Sequence, residues 1–555
     1  MYIDDQTYSV KGRTYRRALL RNSYRKNGKI HHDTIANLSK CENNEIEAIK
    51  FGLANKENLA SVNVANKAVK TKQGLTVGAV WLLNQLAKRI GIATALGRNV
   101  KGKLSLWMVI SAVIGSVSRL SATRLAQSHA VCDIVDLDSF CEDDLYTTMD
   151  WLNEYQQAIE TRLFKARYKK EKPTMYLYDV TSSYLEGEHN ELGQYGYNRD
   201  KKKGKKQIVI GLLTDDEGRP ISCDVFTGNT RDTFTFKNQV DTIAKRFGIK
   251  NVTLVGDRGM IKTAQILDLS KENYHYITAI TKPEIETLLK KNIIQMGLFD
   301  ERVCEIQDGD IRYIYRRNPM RAIEIEENRN GKLEKLRTLC ARKCSYLRHH
   351  PRAKVEVAER IVKETAQRLR IDTWTEVTTQ GRKISVTIKK DEFEKEKKLD
   401  GCYVIKTDCK ESSKETIHDR YKSLAEVEWA FRTMKTSLLH LRGIFVRKAN
   451  RTRAHVFIIM LAYLLAYELR RLWKDLEITI EEGIEELSCI CATEVKIGNV
   501  SIQTIPEPRQ MGRLLFQRAH ITLPDAIPSK NIKVHTRKKL VEDRRSPRNP
   551  LETNS

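Results

Sequence analysis

The stretch MYLYDV, residues 175–180, is a short apolar run with one acidic residue, Asp179, near its end. Its length and its aromatic and β-branched residues predict a buried β-strand, and Pro173 just before it marks a boundary. Four further strands are predicted at residues 208–213, 221–227, 252–255 and 276–280, and helices at 236–247 and 263–272. Three successive strands followed by alternating helices and strands predict a mixed α/β sheet.

The sequence changes in character after the fifth of these strands. Strand patterns are present at Ile311–Tyr315, Ala322–Ile325, Ile384–Ile388 and Cys402–Ile405, and a helical pattern at Val355–Leu369. These patterns predict a β-rich insertion domain at residues 282–409. Helical periodicity returns at Leu424–Leu439, so the α/β core is predicted to comprise residues 171–281 and 410–475.

The regions on either side of this core have different patterns. Residues 1–170 begin with a predicted β-hairpin, because Asn27-Gly28 favours a tight turn between Tyr15–Tyr24 and Lys29–Ile35. Helical periodicity then dominates, which predicts a helical N-terminal region. The basic residues of its first part lead us to expect that this region binds DNA. Residues 476–521 are predicted to be a C-terminal helical region. The basic, proline-containing residues 522–555 are predicted to be a disordered tail.

The charge of the chain indicates a polyanionic partner. The formal net charge is +26 at pH 7, and basic residues cluster in the first 29 residues, in the last 26, and at Arg199–Lys206. Basic termini and loops of this kind suit contact with phosphates, and nucleic acid is the commonest cellular polyanion. We therefore expect double-stranded DNA as the partner, although a solvated charged loop is the alternative interpretation of Arg199–Lys206.

The apolar and sulfur-containing residues bear on location. The longest apolar run, Val456–Tyr467, is too short to cross a bilayer and is flanked by Arg453 and Arg470, so it predicts a buried helix and no membrane association. The 11 cysteines are scattered and odd in number, and no signal peptide is recognisable, which favours a reducing cytoplasm. Cys340, Cys344 and the nearby histidines match no common zinc-finger spacing.

Three carboxylates occupy positions that this topology can bring together. Asp179 lies near the end of the first core strand, Asp257 follows the fourth, and Glu428 lies on the helix after the insertion. If the first and fourth strands are parallel neighbours, both aspartates project from the same edge of the sheet. Clustered carboxylates repel one another unless cations lie between them, and hard oxygen ligands suit Mg²⁺ or Mn²⁺.

Each carboxylate taken alone also has a structural interpretation. Asp179 precedes Thr181 and Ser182 and suits a capping or turn role, and Asp257 suits a turn. Glu428 has the spacing for an ion pair with Arg432 on the surface of a helix. The combination of the three favours a catalytic site.

The motifs around these residues resemble those of a known family. The segments 178–182 (YDVTS), 255–260 (VGDRGM) and 421–435 (YKSLAEVEWAFRTMK) are similar to the three acidic motifs of bacterial insertion-sequence DDE transposases. More narrowly, they resemble the cut-and-paste group with the Y-R-E-K signature. The segments 226–230 (FTGNT) and 453–458 (RAHVFI) also resemble this group.

The resemblance implies an RNase H-like catalytic core with a β-rich insertion before the catalytic glutamate. It implies that Asp179, Asp257 and Glu428 are catalytic and hold Mg²⁺ or Mn²⁺, expected as a pair of ions. It also maps the signature tyrosine to Tyr421 and the signature lysine to Lys435, both as DNA contacts. The signature arginine falls on Leu424, and nearby Arg432 or Lys422 is the candidate replacement.

The function implied is cleavage at insertion-sequence ends and strand transfer into target DNA by a cytoplasmic, nucleoid-associated homodimer. Two alternatives stay open at the level of sequence. An RNase H-like nuclease would use the same three carboxylates without strand transfer. A transposase-derived DNA-binding protein would leave the site idle, although the presence of all three carboxylates argues against this.

Overall fold

The structure is a computed structural model of the whole chain. It describes all residues except 11, 12, 27, 55, 57–68, 116, 117, 188, 198, 200, 201, 203, 233, 237–244, 248–251, 258, 259, 272, 273, 436, 437, 442, 498, 499, 531 and 537–555. Most of the predicted helix at 236–247, and parts of the Asn27-Gly28 turn and of the 199–206 basic run, therefore lie outside the described residues.

Strands and helices occur along the whole length of the described chain. The strands are β1 (Tyr2–Val10), β2 (Arg13–Lys26), β3 (Lys29–Asn37), β4 (Val69–Thr76), β5 (Met175–Tyr184), β6 (Gln207–Asp215), β7 (Pro220–Thr227), β8 (Thr253–Gly256), β9 (His275–Ala279), β10 (Cys304–Asp308), β11 (Ile311–Arg317), β12 (Thr375–Gln380), β13 (Lys383–Ile388), β14 (Cys402–Thr407), β15 (Cys491–Ile497) and β16 (Val500–Thr504).

The helices alternate with these strands. They are α1 (Asn43–Ala54), α2 (Gly78–Arg89), α3 (Ile92–Leu96), α4 (Val100–Ile114), α5 (Arg119–Ser128), α6 (Val131–Val135), α7 (Glu142–Arg167), α8 (Thr263–Lys271), α9 (Lys282–Lys290), α10 (Pro319–His349), α11 (Val355–Leu369), α12 (Lys390–Lys398), α13 (Lys414–Lys422), α14 (Leu424–Lys435), α15 (Ala449–Leu472), α16 (Ile480–Ser488) and α17 (Gln510–Ala519).

A mixed sheet lies at the centre of the molecule. Its strand order is β10-β11-β14-β9-β8-β5-β6-β7. β5, β6 and β7 are antiparallel neighbours, whereas β8 and β9 run parallel to β5. Strand β6 is buried along its whole length, and its alternating side chains enter two hydrophobic clusters, Ile208, Ile210 and Leu212 on one face and Val209 and Leu213 on the other. The three antiparallel strands β7, β6 and β5 are followed in the sheet by β8 and β9, both parallel to β5. This arrangement is an RNase H-like core, and the predicted fold class is confirmed.

The segment 282–409 differs from the prediction of a β-rich domain. Three of its strands, β10, β11 and β14, extend the central sheet, since β14 pairs with β9. The remainder is mostly helical, and the predicted strand Ala322–Ile325 lies inside the 31-residue helix α10. Asn318 caps this helix and a proline follows at its first turn, so the backbone is committed to a helix before the short apolar pattern begins.

The N-terminal region begins with a sheet of three strands. β2 and β3 form the predicted hairpin, and β1 adds a third antiparallel strand to it. Further along, β4 pairs with β15, which in turn pairs with β16. The predicted C-terminal helical region therefore contains two strands and shares a sheet with the N-terminal region. The alternating β-branched residues Thr493, Val495 and Ile497 are the local signal for β15.

Helix α15 lies at the centre of the largest hydrophobic core. The helix is almost entirely buried from Thr452 to Leu469, as predicted for its apolar run. By length and composition alone it could cross a membrane, but 94% of its apolar window is buried inside the structure. The bent pair of α4 and α5 passes the same test only if counted as one span, so these features are weak evidence for a membrane segment.

Part of the predicted disordered tail is packed against the protein. The side chain of Val534 is buried, and Leu523, Ile527 and Ile532 pack against the main core. The backbone carbonyls of Lys533 and Val534 accept hydrogen bonds from side chains of the helical region. The prediction was therefore wrong for residues 522–530 and 532–536: a few well-spaced apolar residues are enough to anchor an extended segment along an existing surface. Residues 537–555 lie outside the described residues.

Candidate active site

Two of the predicted carboxylates lie at the same edge of the central sheet. β5 and β8 are parallel, and their register pairs Tyr178 with Gly256. The next residue on each strand is therefore an aspartate, Asp179 on β5 and Asp257 after β8. Asp179 is the one partly exposed residue in an otherwise buried stretch of β5, whereas Asp257 is exposed. The backbone amide of Val180 donates a hydrogen bond of 2.8 Å to the Asp179 carboxylate.

The position of β5 depends on a glycine in the neighbouring strand. Gly211 lies on β6, and a Cβ added there would be 2.3 Å from the hydroxyl of Tyr178. The absence of a side chain on Gly211 therefore makes room for the Tyr178 ring, which packs against Phe236 beneath the site. This packing fixes the orientation of the strand that carries Asp179.

Helix α14 carries the third carboxylate. Its buried face is formed by Val427, Ala430, Phe431 and Met434, which pack toward β5 and the core. Glu428 and Arg432 are exposed and lie four residues apart, so they project from the opposite side of the helix. The turn between β6 and β7 supports the helix, since Gly218 approaches Glu426 so closely that a Cβ on it would lie 2.6 Å away.

These elements enclose an open cleft of about 360 Å³. It is lined by Asp179, Val180, Thr181, Arg199, Asp232, Asp257, Met260, Glu428, Phe431, Arg432 and Lys435. The structure thus brings together all three predicted catalytic carboxylates and two of the three predicted DNA-contacting residues. These residues are far apart in the sequence, and residues 282–409 lie between Asp257 and Glu428 along the chain. The fold nevertheless brings them together at one cleft.

Two further residues of the cleft form an ion pair. Arg199 donates a hydrogen bond of 2.7 Å to the carboxylate of Asp232. The sequence pattern indicates Arg199 only as part of a basic run, and sequence reasoning missed Asp232. A signal for Asp232 was present, because it lies two residues beyond the family-like FTGNT segment at the end of β7. Because the charges of Arg199 and Asp232 cancel, this ion pair adds no net charge to its wall of the cleft.

The electrostatics of the cleft are those of repelling carboxylates. Burial raises the pKa of Asp179 to about 7, and the negative charges of Asp257 and Glu428 act in the same direction. The hydrogen bond from Val180 and the charge of Arg199 lower it but do not compensate. Ionising a buried carboxyl group beside two other carboxylates costs free energy, which a cation bound there would offset. The donor set therefore fits a hard divalent metal ion.

The remaining predicted contacts lie at different depths. Lys435 is buried to 94% and reaches the cleft from the last turn of α14, on the same side as Glu428. Tyr421, at the end of α13, does not line the cleft; its ring is partly buried against the main core. Leu424 is likewise partly buried against this core. Tyr421 and Leu424, the signature positions that precede Glu428, therefore face the hydrophobic core more than the cleft.

Comparison with known proteins identifies the class to which this fold and cleft belong. Residues 170–465, more than half of the chain, match the family model described as the transposase DDE domain. The chain therefore belongs to the DDE transposase family of bacterial insertion sequences, enzymes that cleave DNA and transfer its strands and that use divalent metal ions. Residues 6–61 match a second model, the IS1634 family transposase N-terminal domain. The predicted family and enzyme class are confirmed.

Similarity to individual proteins is low. No curated protein sequence matches the chain. Among solved structures, a cryo-EM structure of the piggyBac transposase synaptic complex with hairpin DNA is similar over 69% of each chain, with 10% identity and a TM-score of 0.37. A likeness at this level says nothing about the site of this chain.

Proposed function

We propose that this transposase cleaves DNA at the ends of its insertion sequence and joins them to target DNA, with Asp179, Asp257 and Glu428 holding the metal ions. The observation that carries the proposal is the cleft itself. Three carboxylates from two parallel strands and a helix converge there, and burial together with their mutual repulsion raises the pKa of Asp179. Such a site is electrostatically unfavourable without a cation and becomes favourable with one.

Mg²⁺ or Mn²⁺ is the expected ion, and the family resemblance implies a pair of ions. The catalytic carboxylates of the cleft supply the hard oxygen ligands that these ions prefer. Held by Asp179, Asp257 and Glu428, such ions would supply Lewis-acid activation of the attacking water or 3′-hydroxyl and stabilisation of the leaving oxygen.

The protein side chains would position the DNA strand. Arg432 and Lys435 follow Glu428 along α14 and line the same cleft. Their charges can contact phosphates next to the scissile bond there. Such contacts position the strand without reading its sequence. Tyr421 is proposed to contact DNA through its exposed edge only, since its ring packs partly against the core.

The remaining features of the proposal concern assembly and location. Both ends of an element must be cut together, so a homodimer in the complex with the two ends is expected. Action on chromosomal DNA implies a cytoplasmic, nucleoid-associated enzyme. The formal net charge of +26 agrees with tight, salt-sensitive association with DNA.

The test uses a duplex that carries the inverted repeats flanking this open reading frame. Purified protein with Mg²⁺ or Mn²⁺ should cut the end, and a pre-cut end should be joined to a supercoiled plasmid. EDTA should abolish both reactions, as should Asp257→Asn and Glu428→Gln.

Asp391→Asn, at an exposed aspartate on α12, is the matched control and should retain both reactions. Cleavage of the flanking repeats without joining of pre-cut ends would identify a nuclease instead. Absence of metal-dependent cleavage would identify a DNA-binding protein with an idle site.

A further inference from the structure

A second cavity, of about 610 Å³, lies between the helical N-terminal region and the loop that follows α14. It is lined by Ser118, Arg119, Tyr146, Met149, His440, Gly443, Ile444, Phe445, Val446, Arg447, Lys448, Arg451 and His455. This cavity, here called the cationic pocket, shares no residue with the catalytic cleft. It is built by α5, α7 and α15 together with residues 440 and 443–448.

The pocket is strongly positive. Arg119, Arg447, Lys448 and Arg451 line it, and none of the described residues in its lining is acidic. Two carboxylates outside the lining offset part of this charge: Asp150 pairs with Arg451 at 2.8 Å, and Glu191 lies at the start of α15 beside Lys448. Several like charges around one cavity repel one another, and an anion within the cavity would relieve this repulsion.

Two helices begin at the wall of the pocket. Ser118 caps α5 and Arg119 is its first residue, while Lys448 is the capping position of α15. Both helices are long enough to have a full first turn. The backbone amides of a first turn have no partners within the helix, and the helix dipole makes this end positive. The carboxylate of Glu191 already accepts a hydrogen bond of 3.0 Å from the amide of Ala449 at the start of α15, so the anion-binding argument rests on the N-terminus of α5.

Two buried polar side chains also face this cavity. His455 is 94% buried, and its Nδ1 atom has no hydrogen-bond partner among the described residues. Burial and the nearby charge of Arg119 lower the pKa of His455 to about 3, so its ring is neutral. The Arg119 side chain is 97% buried, with one guanidinium nitrogen against the sulfur atoms of Met108 and Met149. Burying a guanidinium costs free energy that a bound anion would offset.

We propose that the cationic pocket binds a backbone phosphate of the DNA substrate at a position separate from the scissile phosphate. The inference rests on the proposed function, since it takes the same DNA as ligand. Arg447 and Lys448 are exposed at the mouth and would meet the phosphate first. Phe445, 74% exposed beside them, offers an apolar surface to the sugar or base of the same nucleotide.

The pocket lies beyond the end of the strand that carries Asp179, within reach of a duplex bound at the cleft. Ile444 pairs with the end of β5, because its carbonyl accepts a hydrogen bond of 3.1 Å from the amide of Glu186. Asp179 lies five residues before Tyr184 on the same strand, a distance of about 17 Å at the usual rise of a β-strand. This corresponds to about five base-pair steps of duplex DNA.

The test is duplex binding by Arg447→Ala/Lys448→Ala, measured in EDTA so that no cleavage occurs. The probe is the flanking-repeat duplex, titrated at several salt concentrations. We expect the affinity to fall about tenfold or more, as when hydrogen bonds to charged groups are removed. The slope of log K against log salt should decrease by about 1 for each phosphate that the variant no longer neutralises.

Lys395→Ala/Lys398→Ala is the matched control, because it removes the same charge from exposed positions on α12. If the two double variants bind equally and with equal salt slopes, the pocket does not bind DNA and the inference is wrong. The proposed function survives that result. If the wild-type protein binds no duplex, the proposed function fails together with the inference.

A separate arm distinguishes DNA from free phosphate. The melting temperature is compared in inorganic phosphate and in chloride of the same ionic strength. Stabilisation by phosphate that is abolished in Arg447→Ala/Lys448→Ala, together with unchanged duplex binding, would assign the pocket to a small phosphate ligand and overturn the DNA assignment. Arg119→Met, which keeps the packing against two methionines, should weaken duplex binding if it folds. If Arg119→Met does not fold, Arg447→Ala/Lys448→Ala decides whether the pocket binds DNA.

Discussion

The catalytic cleft and the cationic pocket are neighbours of opposite charge. In the cleft, three carboxylates converge and Asp179 has a raised pKa. In the pocket, three arginines and a lysine converge, and burial lowers the pKa of Arg119 to about 10. Each region is partly compensated, since Arg199, Arg432 and Lys435 also line the cleft and Asp150 pairs with Arg451 beside the pocket, but like charges predominate among the converging groups of each.

The difference shows what each region requires. The cleft requires cations, which metal ions supply, and the pocket requires an anion, which a DNA phosphate would supply. The strand that carries Asp179 ends beside the loop that lines the pocket, so a single duplex can satisfy both regions. The comparison therefore predicts that metal and DNA stabilise different parts of the protein. The following predictions test this comparison.

The largest effect is expected for the catalytic carboxylates. Asp179→Ala, Asp257→Ala or Glu428→Ala should each reduce cleavage by about 1,000-fold or more, as is usual when one member of a catalytic set is removed. Duplex binding in EDTA should stay within about twofold of the wild type, because the carboxylates repel phosphates and do not hold them. A single-turnover cleavage assay and a binding titration measure both. Near-normal cleavage by one variant would remove that residue from the catalytic set.

The next effect concerns pH and the stability of the metal-free protein. The pKa of Asp179 is raised from 3.8 to about 7 in the folded state, chiefly by burial. The folded protein therefore binds more protons than the unfolded chain between these values, so its stability falls as pH rises from about 4 to 7. Asp179→Asn removes this loss and should stabilise the metal-free protein at pH 8 by roughly 2–4 kcal/mol, with little effect at pH 4.

Thermal or urea unfolding in EDTA at the two pH values tests this prediction. Addition of Mg²⁺ at pH 8 should stabilise the wild-type protein and leave Asp179→Asn almost unchanged, because the ligand must be ionised. Equal stability of the two proteins at pH 8 in EDTA would mean that burial and the neighbouring carboxylates do not raise the pKa of Asp179 as the geometry requires.

A smaller effect is expected at Lys435. Lys435→Met keeps the buried stem of the side chain and removes its charge from the cleft. Cleavage should fall by about 10–100-fold, which is the range for removal of a hydrogen bond to a charged group. Lys398→Met, at an exposed position on α12, is the control. Mg²⁺-dependent stabilisation should be unchanged, and a large decrease in it would make Lys435 a support of the metal site rather than a DNA contact.

The smallest effect is expected at Leu424. Its side chain is partly buried against the main core, whereas Ala425 beside it is exposed on the same helix. Leu424→Arg should therefore destabilise the fold by about 1–2 kcal/mol, and Ala425→Arg by less than about 0.5 kcal/mol. Unfolding curves of the two variants give the comparison. Equal stability together with tighter DNA binding by Leu424→Arg would show that this position faces DNA after all.

Much of the site was predictable because its chemistry is local. The strand at residues 175–180, the aspartate after the fourth strand, and the helix that carries Glu428 each have a clear pattern, and the motif resemblance joined them in one site. The pairing of Arg199 with Asp232 was not predictable, because an ion pair between distant loops leaves no periodic signal in sequence. The cationic pocket was hidden for the same reason, since its residues come from three separate helices and a loop.

The sequence by itself determined the strand and helix types of the core, the buried character of α15 and the identity of the candidate catalytic carboxylates. Hydrophobic periodicity and residue type decide the first two features over a few residues, and the resemblance of short motifs to a known family singled out the carboxylates. Only the tertiary structure decided that β10, β11 and β14 extend the central sheet, that β4 pairs with β15, and that residues 522–530 and 532–536 are anchored. Each of these depends on backbone pairing or apolar burial between segments far apart in the chain, where the free energy comes from the partner and not from the local pattern.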